Sequence, residues 1–171
     1  MSAGQQLLVL GAIVLLSIFI LRVYTTQNSS TKNVVTNAAI IKATGVAQTL
    51  LEQIQTEAFD QQTVSKSVST PDSLTLPSAL GRDGSGEKVN NALTYNDIDD
   101  YIGYMETDTV GKNDVFNVLV TNVSYCTPIK DANPGSTSSV RTFSKRVDIS
   151  VYNKYLNLID TLKLSKIISY Y

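Results

Sequence analysis

The densest set of side chains able to do chemistry lies in the stretch YNDIDDYIGYMETD, residues 95–108. Asp97, Asp99 and Asp100 offer hard carboxylate oxygens, which are the ligands that calcium prefers. The spacing departs from an EF-hand loop, because the glycine of that loop comes one residue late here, at Gly103. We predict an acidic turn over residues 95–108, with the three aspartates as candidate calcium ligands. The alternative is a solvated turn whose Asp side chains cap backbone amides.

A catalytic site is not expected from this composition. The chain has no His, which removes the commonest general base and the commonest zinc ligand. The run GRDGSGEK at residues 81–88 looks like a phosphate loop, but Glu87 stands where a P-loop needs its Lys. We therefore expect neither an enzyme nor an organic cofactor. Calcium at the acidic turn is the one ion for which the sequence offers ligands.

The charge balance makes the chain neither strongly basic nor strongly acidic. The chain has 14 Lys and Arg against 15 Asp and Glu, and its net charge is −1. Nucleic acid is accordingly not expected as a partner. A small basic cluster of Arg141, Lys145 and Arg146 is interpreted as a solvated strand face. Lys145, however, falls out of pattern on the apolar side of the alternating run at residues 142–152.

The stretch at residues 7–21, LLVLGAIVLLSIFIL, carries no charge. A helix needs about 17–25 mostly apolar residues to cross a bilayer, so residues 1–24 are predicted to form a transmembrane or filament-core helix segment. A cleaved secretory signal is the alternative, but neither a basic flank nor a small-x-small cleavage site accompanies the stretch. The side chains predicted to lie in the membrane or filament core are Leu7, Leu8, Leu10, Ile13, Leu16, Ile18, Phe19 and Leu21.

Residues 25–60 are predicted to continue this helix in amphipathic form. Their apolar residues recur at spacings of three and four, which is the helical period: Val35, Ala38, Ala39, Val46, Leu50, Ile54 and Ala58. Residues 25–32, TTQNSSTK, are poor helix formers, and they predict a break or kink before the amphipathic part begins.

Residues 61–171 are predicted to form a globular head. A long loop at residues 61–93 is rich in Pro, Gly, Ser and Thr, and its one strand-like stretch is near residues 74–76. The acidic turn follows, and then a β-meander of three strands at residues 115–171. The fold class is therefore α+β, in which a long N-terminal helix packs on a small C-terminal antiparallel sheet.

This layout resembles the type IV pilins and the type II secretion pseudopilins. Gln5 stands where that family usually has a Glu, and Tyr24 where an aromatic residue often ends the apolar segment. The run NDIDDYIGY is similar to the DDxDDYNG-type turn of some minor pilin-like proteins, and the ending KRVDISVYNKYLNLIDTLKLSKIISYY is similar to their last two strands. Gly4 and Gln5 form a candidate prepilin-type cleavage site, and cleavage there would make Val9 the fifth mature residue.

The resemblance implies a structural subunit of an extracellular or envelope-spanning filament, assembled through the N-terminal helix. Its partners would be copies of itself or other pilin-like subunits, the membrane, and the secretion or pilus assembly machinery. The chain would cross the membrane once before assembly, with its head outside the cytoplasm, and then belong to an extracellular filament or the cell surface. The alternative is a non-polymerising, membrane-anchored binding or assembly-accessory domain on the outer side of the membrane.

Overall fold

The structure is a computed structural model that describes residues 2–84, 86–111, 114–156 and 161–171. Its fold is α+β, with one long helix and a four-stranded antiparallel sheet, as predicted. The chain divides into two compact units, the first ending at Ala38 and the second spanning Ala39–Tyr171.

Helix α1 spans Ala3–Thr56 without interruption, so the break predicted at residues 25–32 is wrong. The hydroxyls of Thr25 and Thr26 both donate to the carbonyl of Arg22, at 2.9 Å. Thr31 donates in the same way to the carbonyl of Gln27, at 3.0 Å. Because these hydroxyls find acceptors inside the helix, they do not compete with its backbone hydrogen bonds.

The first unit exposes apolar side chains on every side of its helix. All the large apolar residues at positions 7–24 are between 39% and 75% exposed. The most apolar 18-residue window of α1 has a mean hydropathy of 2.6, and none of it is buried. This part of α1 is long and apolar enough to cross a membrane.

The sheet of the second unit has the order β1-β2-β3-β4, and all neighbouring strands are antiparallel. Its strands are Met105–Val110 (β1), Asp114–Tyr125 (β2), Ser144–Tyr152 (β3) and Thr161–Ser169 (β4). The predicted meander therefore lacked a strand, since the first four residues of β1 belong to the stretch assigned to the acidic turn. Strand β1, METDTV, is an edge strand with mostly exposed side chains, and it shows no apolar alternation to reveal it.

The core of the second unit forms between α1 and one face of the sheet. The amphipathic pattern is confirmed from Ala39 onward, but Val35 is 43% exposed and Ala38 is also exposed. Strands β2 and β3 supply the other side, including Phe116 and Ile149. The buried helix residues follow the three- and four-residue spacing of one helical face: Ala39, Ala43, Val46, Ala47, Leu50, Leu51 and Ile54.

The segment between α1 and β1 is a long irregular connection, as predicted for residues 61–93. It is organised by short 3-10 turns at Gln61–Thr63, Pro71–Ser73, Pro77–Ala79, Ala92–Thr94 and Asp99–Tyr101. The strand suggested near residues 74–76 is wrong. Leu74 is buried there as a loop residue, and the Thr75 amide donates to a side chain, Asp60 Oδ1, at 3.0 Å.

Candidate functional site

The acidic turn is buried. Asp97, Asp99 and Asp100 are each only 1% exposed, so the expectation of a solvated turn is wrong. The second part of that alternative, that the Asp side chains cap backbone amides, is confirmed. Asp97 Oδ1 accepts from the amides of Asp99 and Asp100, at 2.8 and 3.2 Å. Asp100 Oδ2 accepts from the amides of Asn96 and Asp97, at 2.9 and 3.2 Å.

Lys145 lies inside this site. Its side chain is fully buried, which corrects the interpretation of its cluster as a solvated strand face. Its ammonium donates to the carbonyl of Phe59 at 2.8 Å, to Asp60 Oδ2 at 3.1 Å, and to Asp99 Oδ1. A buried ammonium needs such acceptors, because removing it from water is expensive.

Asp60 is held as a carboxylate by several donors. Besides Lys145, it accepts from the amide and hydroxyl of Thr75, at 3.0 and 2.9 Å, and from the hydroxyl of Tyr125, at 2.8 Å. Burial by itself would raise the pKa of Asp60, but the Lys145 ammonium and these hydrogen bonds hold it below its usual value. Burial and the hydrogen bond to Asp60 raise the pKa of Tyr125 far above its ordinary value.

The pKa values of the other two aspartates, Asp97 and Asp100, are raised. Burial, followed by repulsion from Asp99, raises the pKa of Asp97 to about 8. Burial also raises the pKa of Asp100 to about 6, although the amides of Asn96 and Asp97 oppose the shift. The single ammonium of Lys145 therefore does not offset the burial of all the carboxyl groups in this turn.

The three predicted calcium ligands meet in one turn but have different surroundings. Asp99 contacts Lys145, whereas Asp97 caps the turn's own backbone. Among the residues that the structure describes, Asp100 alone of the three belongs to a set of carboxylates whose oxygens all lie within 4.8 Å of one another, and the other members are Asp83 and Glu87. Calcium binding by Asp97, Asp99 and Asp100 stays a prediction.

Sequence reasoning missed Asp83 and Glu87, although both lie in the run GRDGSGEK. As a phosphate loop, that run fails because Glu87 stands in the position of the Lys. A signal was present, because two acidic residues flanking a glycine-rich turn can point their carboxylates to one side. Nothing in the sequence places this turn beside Asp100.

The second candidate site is the apolar segment of α1. All the residues predicted to face lipid or neighbouring helices are exposed, from 52% at Ile18 to 75% at Leu7. Nearby, the Ser2 amide donates to Gln5 Oε1 at 3.0 Å, and the Gln5 amide donates to Ser2 Oγ at 3.4 Å. This reciprocal pair is a capping box at the start of α1. Cleavage between Gly4 and Gln5 stays a prediction.

No protein-family profile, curated protein or solved structure matches this sequence.

Proposed function

We propose that the chain is a structural subunit of a type IV pilin-like filament that assembles through its N-terminal helix. The observation that carries this proposal is the apolar surface of α1 at residues 7–24, which is exposed all round the helix. A cover for this surface must come from outside the chain. In the proposal, the cover is lipid before assembly and neighbouring copies of the helix afterwards.

The energetics favour such an exchange. Fully burying one Leu, Ile or Phe side chain is worth about 1.5–3 kcal/mol, so the exposed segment strongly disfavours a solitary chain in water. Moving the helix from lipid into a helix bundle costs little, because both environments are apolar. Gly11, Ala12 and Ser17 are small residues that permit close helix contact. The Ser17 hydroxyl already donates to the Ile13 carbonyl, at 2.8 Å, so it needs no partner in the bundle.

The second unit supports the role of a filament head, since it has a closed core of its own. The heads would lie outside the cytoplasm and form the outer shell of the filament. Partners would be further copies, other pilin-like subunits and an assembly machinery in the membrane. Gln5 is neutral, so any contact between its amide and a neighbouring chain would be a hydrogen bond, weaker than the ion pair a Glu could form.

The first test is to shear material from the cell surface and examine it by electron microscopy and immunoblotting. The proposal predicts helical fibres that contain this chain. A chain found only in detergent-extracted membranes, as a monomer, would contradict the proposal. That result would favour the alternative of a non-polymerising, membrane-anchored binding or assembly-accessory domain.

A crosslinking test locates the contact. Val14→Cys places a thiol on the apolar segment, where Val14 is 57% exposed, while the native Cys126 is fully buried and stays unreactive in the folded chain. Val14→Cys is expected to crosslink chains in sheared fibres but not in chains diluted in detergent. Leu93→Cys, at a position 95% exposed in the second unit, controls for thiol reactivity. Fibres in which Val14→Cys gives no crosslink would exclude this segment as the assembly contact.

A further inference from the structure

One carboxylate oxygen in the acidic turn lacks a hydrogen-bond partner among the residues that the structure describes. Asp100 is 1% exposed, and its Oδ2 accepts two backbone amides. Its Oδ1 is also buried, yet it accepts no hydrogen bond from any residue that the structure describes. Buried acceptors are nearly always satisfied, because an unsatisfied one has lost its water without a replacement. This oxygen therefore indicates that a ligand belongs beside it.

Two further carboxylates converge on Asp100 from the preceding loop. Oxygens of Asp83, Glu87 and Asp100 all lie within 4.8 Å of one another. Desolvation, followed by repulsion from Glu87, raises the pKa of Asp83. Three like charges brought this close repel one another unless a cation lies among them.

Asn96 contacts this group through its side-chain amide nitrogen. The Asn96 side-chain amide donates to Glu87 Oε1 at 3.0 Å, which ties Asn96 to the carboxylates. Its Oδ1 is buried and, within the described part of the chain, also lacks a hydrogen-bond donor. Two unpartnered oxygens, on Asp100 and Asn96, thus accompany one group of acidic side chains.

Backbone amides hold Glu87 in place, and basic side chains in the described part of the chain bond to other groups. Glu87 Oε2 accepts from the amides of Asp83 and Gly84, both at 2.8 Å. The Arg82 guanidinium donates to the backbone carbonyls of Asp100 and Ile102, at 3.4 and 3.0 Å, rather than to a carboxylate. The salt bridges found among the described residues all use other acidic side chains.

We propose that Asp83, Glu87 and Asp100 bind a divalent cation, with calcium as the best fit and Asn96 Oδ1 as an additional oxygen ligand. The donors are all hard oxygens, and with no His in the chain a zinc or copper site is disfavoured. Calcium accepts six to eight oxygens in irregular arrangements, and water completes the shell. This ligand set shares only Asp100 with the set predicted from the sequence.

The bound cation would join two separate parts of the irregular segment. Asp83 and Glu87 belong to the loop at residues 81–88, whereas Asn96 and Asp100 belong to the acidic turn. Calcium would fix the loop against the turn and raise the stability of the second unit. This effect does not depend on filament assembly, so a failed test of the calcium site would not contradict the proposed function, and the reverse is also true.

The test uses the full chain in detergent, with calcium, magnesium or EDTA present. Thermal unfolding followed by circular dichroism is expected to show a saturable rise in Tm with calcium, because a ligand that binds only the folded state stabilises it. Isothermal titration calorimetry is expected to show one site. Magnesium is expected to bind at least tenfold more weakly, because it demands near-ideal octahedral geometry.

Asp83→Asn is the decisive variant, because Asp83 is exposed and its replacement leaves the buried network intact. In EDTA it is expected to be as stable as the wild type or more stable, since one repelling charge is gone. In calcium it is expected to lose at least tenfold in affinity. Asp108→Asn, on exposed β1, is the matched control and should retain the full calcium response.

Three results would overturn the proposal. The first is the absence of both a calcium-dependent rise in Tm and a heat of binding in the wild type. The second is a calcium response that Asp83→Asn leaves intact, which would show that calcium binds to other residues. The third is magnesium binding as tight as that of calcium, which would exclude the assignment of the ion.

Discussion

At the scale of single residues, Lys145 connects parts of the chain that lie far apart in sequence. Its ammonium contacts Phe59, Asp60 and Asp99, which are 86, 85 and 46 positions away. A buried ion pair adds little stability compared with well-packed apolar residues. Removing one partner is different, because it leaves the other charges buried without compensation.

We expect Lys145→Met to destabilise the folded chain by about 3–5 kcal/mol at neutral pH, since Asp60 and Asp99 lose their cation. That is a large share of the free energy of unfolding of a whole protein, which is typically about 5–15 kcal/mol. The measurement is urea unfolding of the chain in detergent. Lys163→Met, at an exposed position of β4, is the matched control and should change the free energy of unfolding by less than about 0.5 kcal/mol.

The pH dependence separates lost charge from lost packing. Because the folded-state pKa of Asp60 is lowered, the stability from that carboxylate is present above its unfolded pKa and is lost as pH falls through the folded pKa. The difference between wild type and Lys145→Met should therefore shrink below about pH 4, the ordinary pKa of Asp. A difference that is constant with pH would show that packing alone explains the effect.

Part of the site around Lys145 could be predicted from the sequence. An apolar strand face interrupted by Lys145 is a signal, because a lysine at an inward position needs carboxylates around it. The run NDIDD at residues 96–100 shows that carboxylates are available in the chain. Pairing Lys145 with Asp60 and Asp99 could not be predicted, since it depends on how the irregular segment folds back against the sheet.

At the scale of elements, α1 contributes to the second unit through one narrow face. Small residues such as Ala43 and Ala47 are fully buried there and take up little of the space on this face. Larger residues such as Ile54 fill the remaining space. The opposite face of the same helix remains in water, which makes α1 suitable for matched substitutions.

We expect Ile54→Ala to cost about 2–5 kcal/mol, because Ile54 is completely buried and its loss leaves a cavity. Ile41→Ala removes the same atoms from the same helix at a position that is 72% exposed, and it should change stability by no more than about 0.5 kcal/mol. Chemical denaturation of both variants measures the difference. Equal effects at the two positions would contradict the assigned face.

Periodicity predicted the elements that bury a regular pattern of side chains. The second half of helix α1 and strands β2 and β3 do so. Strand β4 was predicted from the same alternation, although Ile168 is the one residue of this strand that is buried. The predicted bounds differ by a few residues. Strand β1 was missed because its polar side chains at the sheet edge carry no such pattern. The helix break was predicted wrongly because propensity does not reveal that the threonine hydroxyls bond within the helix.

At the scale of the whole molecule, the buried and the exposed apolar residues separate along the sequence. Every buried hydrophobic residue among those described lies at Ala39 or later, whereas the longest exposed apolar stretch lies at residues 7–24. The parts of the chain that would face lipid or other subunits are thus distinct from those that build the core.

A variant that begins at Asn33 is therefore expected to be soluble without detergent, monomeric and folded. Its free energy of unfolding should lie within about 1 kcal/mol of the value for the full chain, because helix stability comes mainly from tertiary packing and the described residues before Asn33 bury no side chain. Analytical ultracentrifugation and urea unfolding measure these properties. In vesicle flotation the full chain should float and the variant should not. A variant that is unfolded would show that the core needs the first unit.

The buried ammonium of Lys145 also affects how the chain tolerates insertions. Asp60 and Asp99 stand near the two ends of the irregular segment, and one lysine holds both of them. The segment therefore behaves as a loop with pinned ends, for which doubling the length costs only about 0.6 kcal/mol in closure entropy. Exposed positions such as Lys66 can accept inserted residues, such as an epitope tag, with little loss of stability.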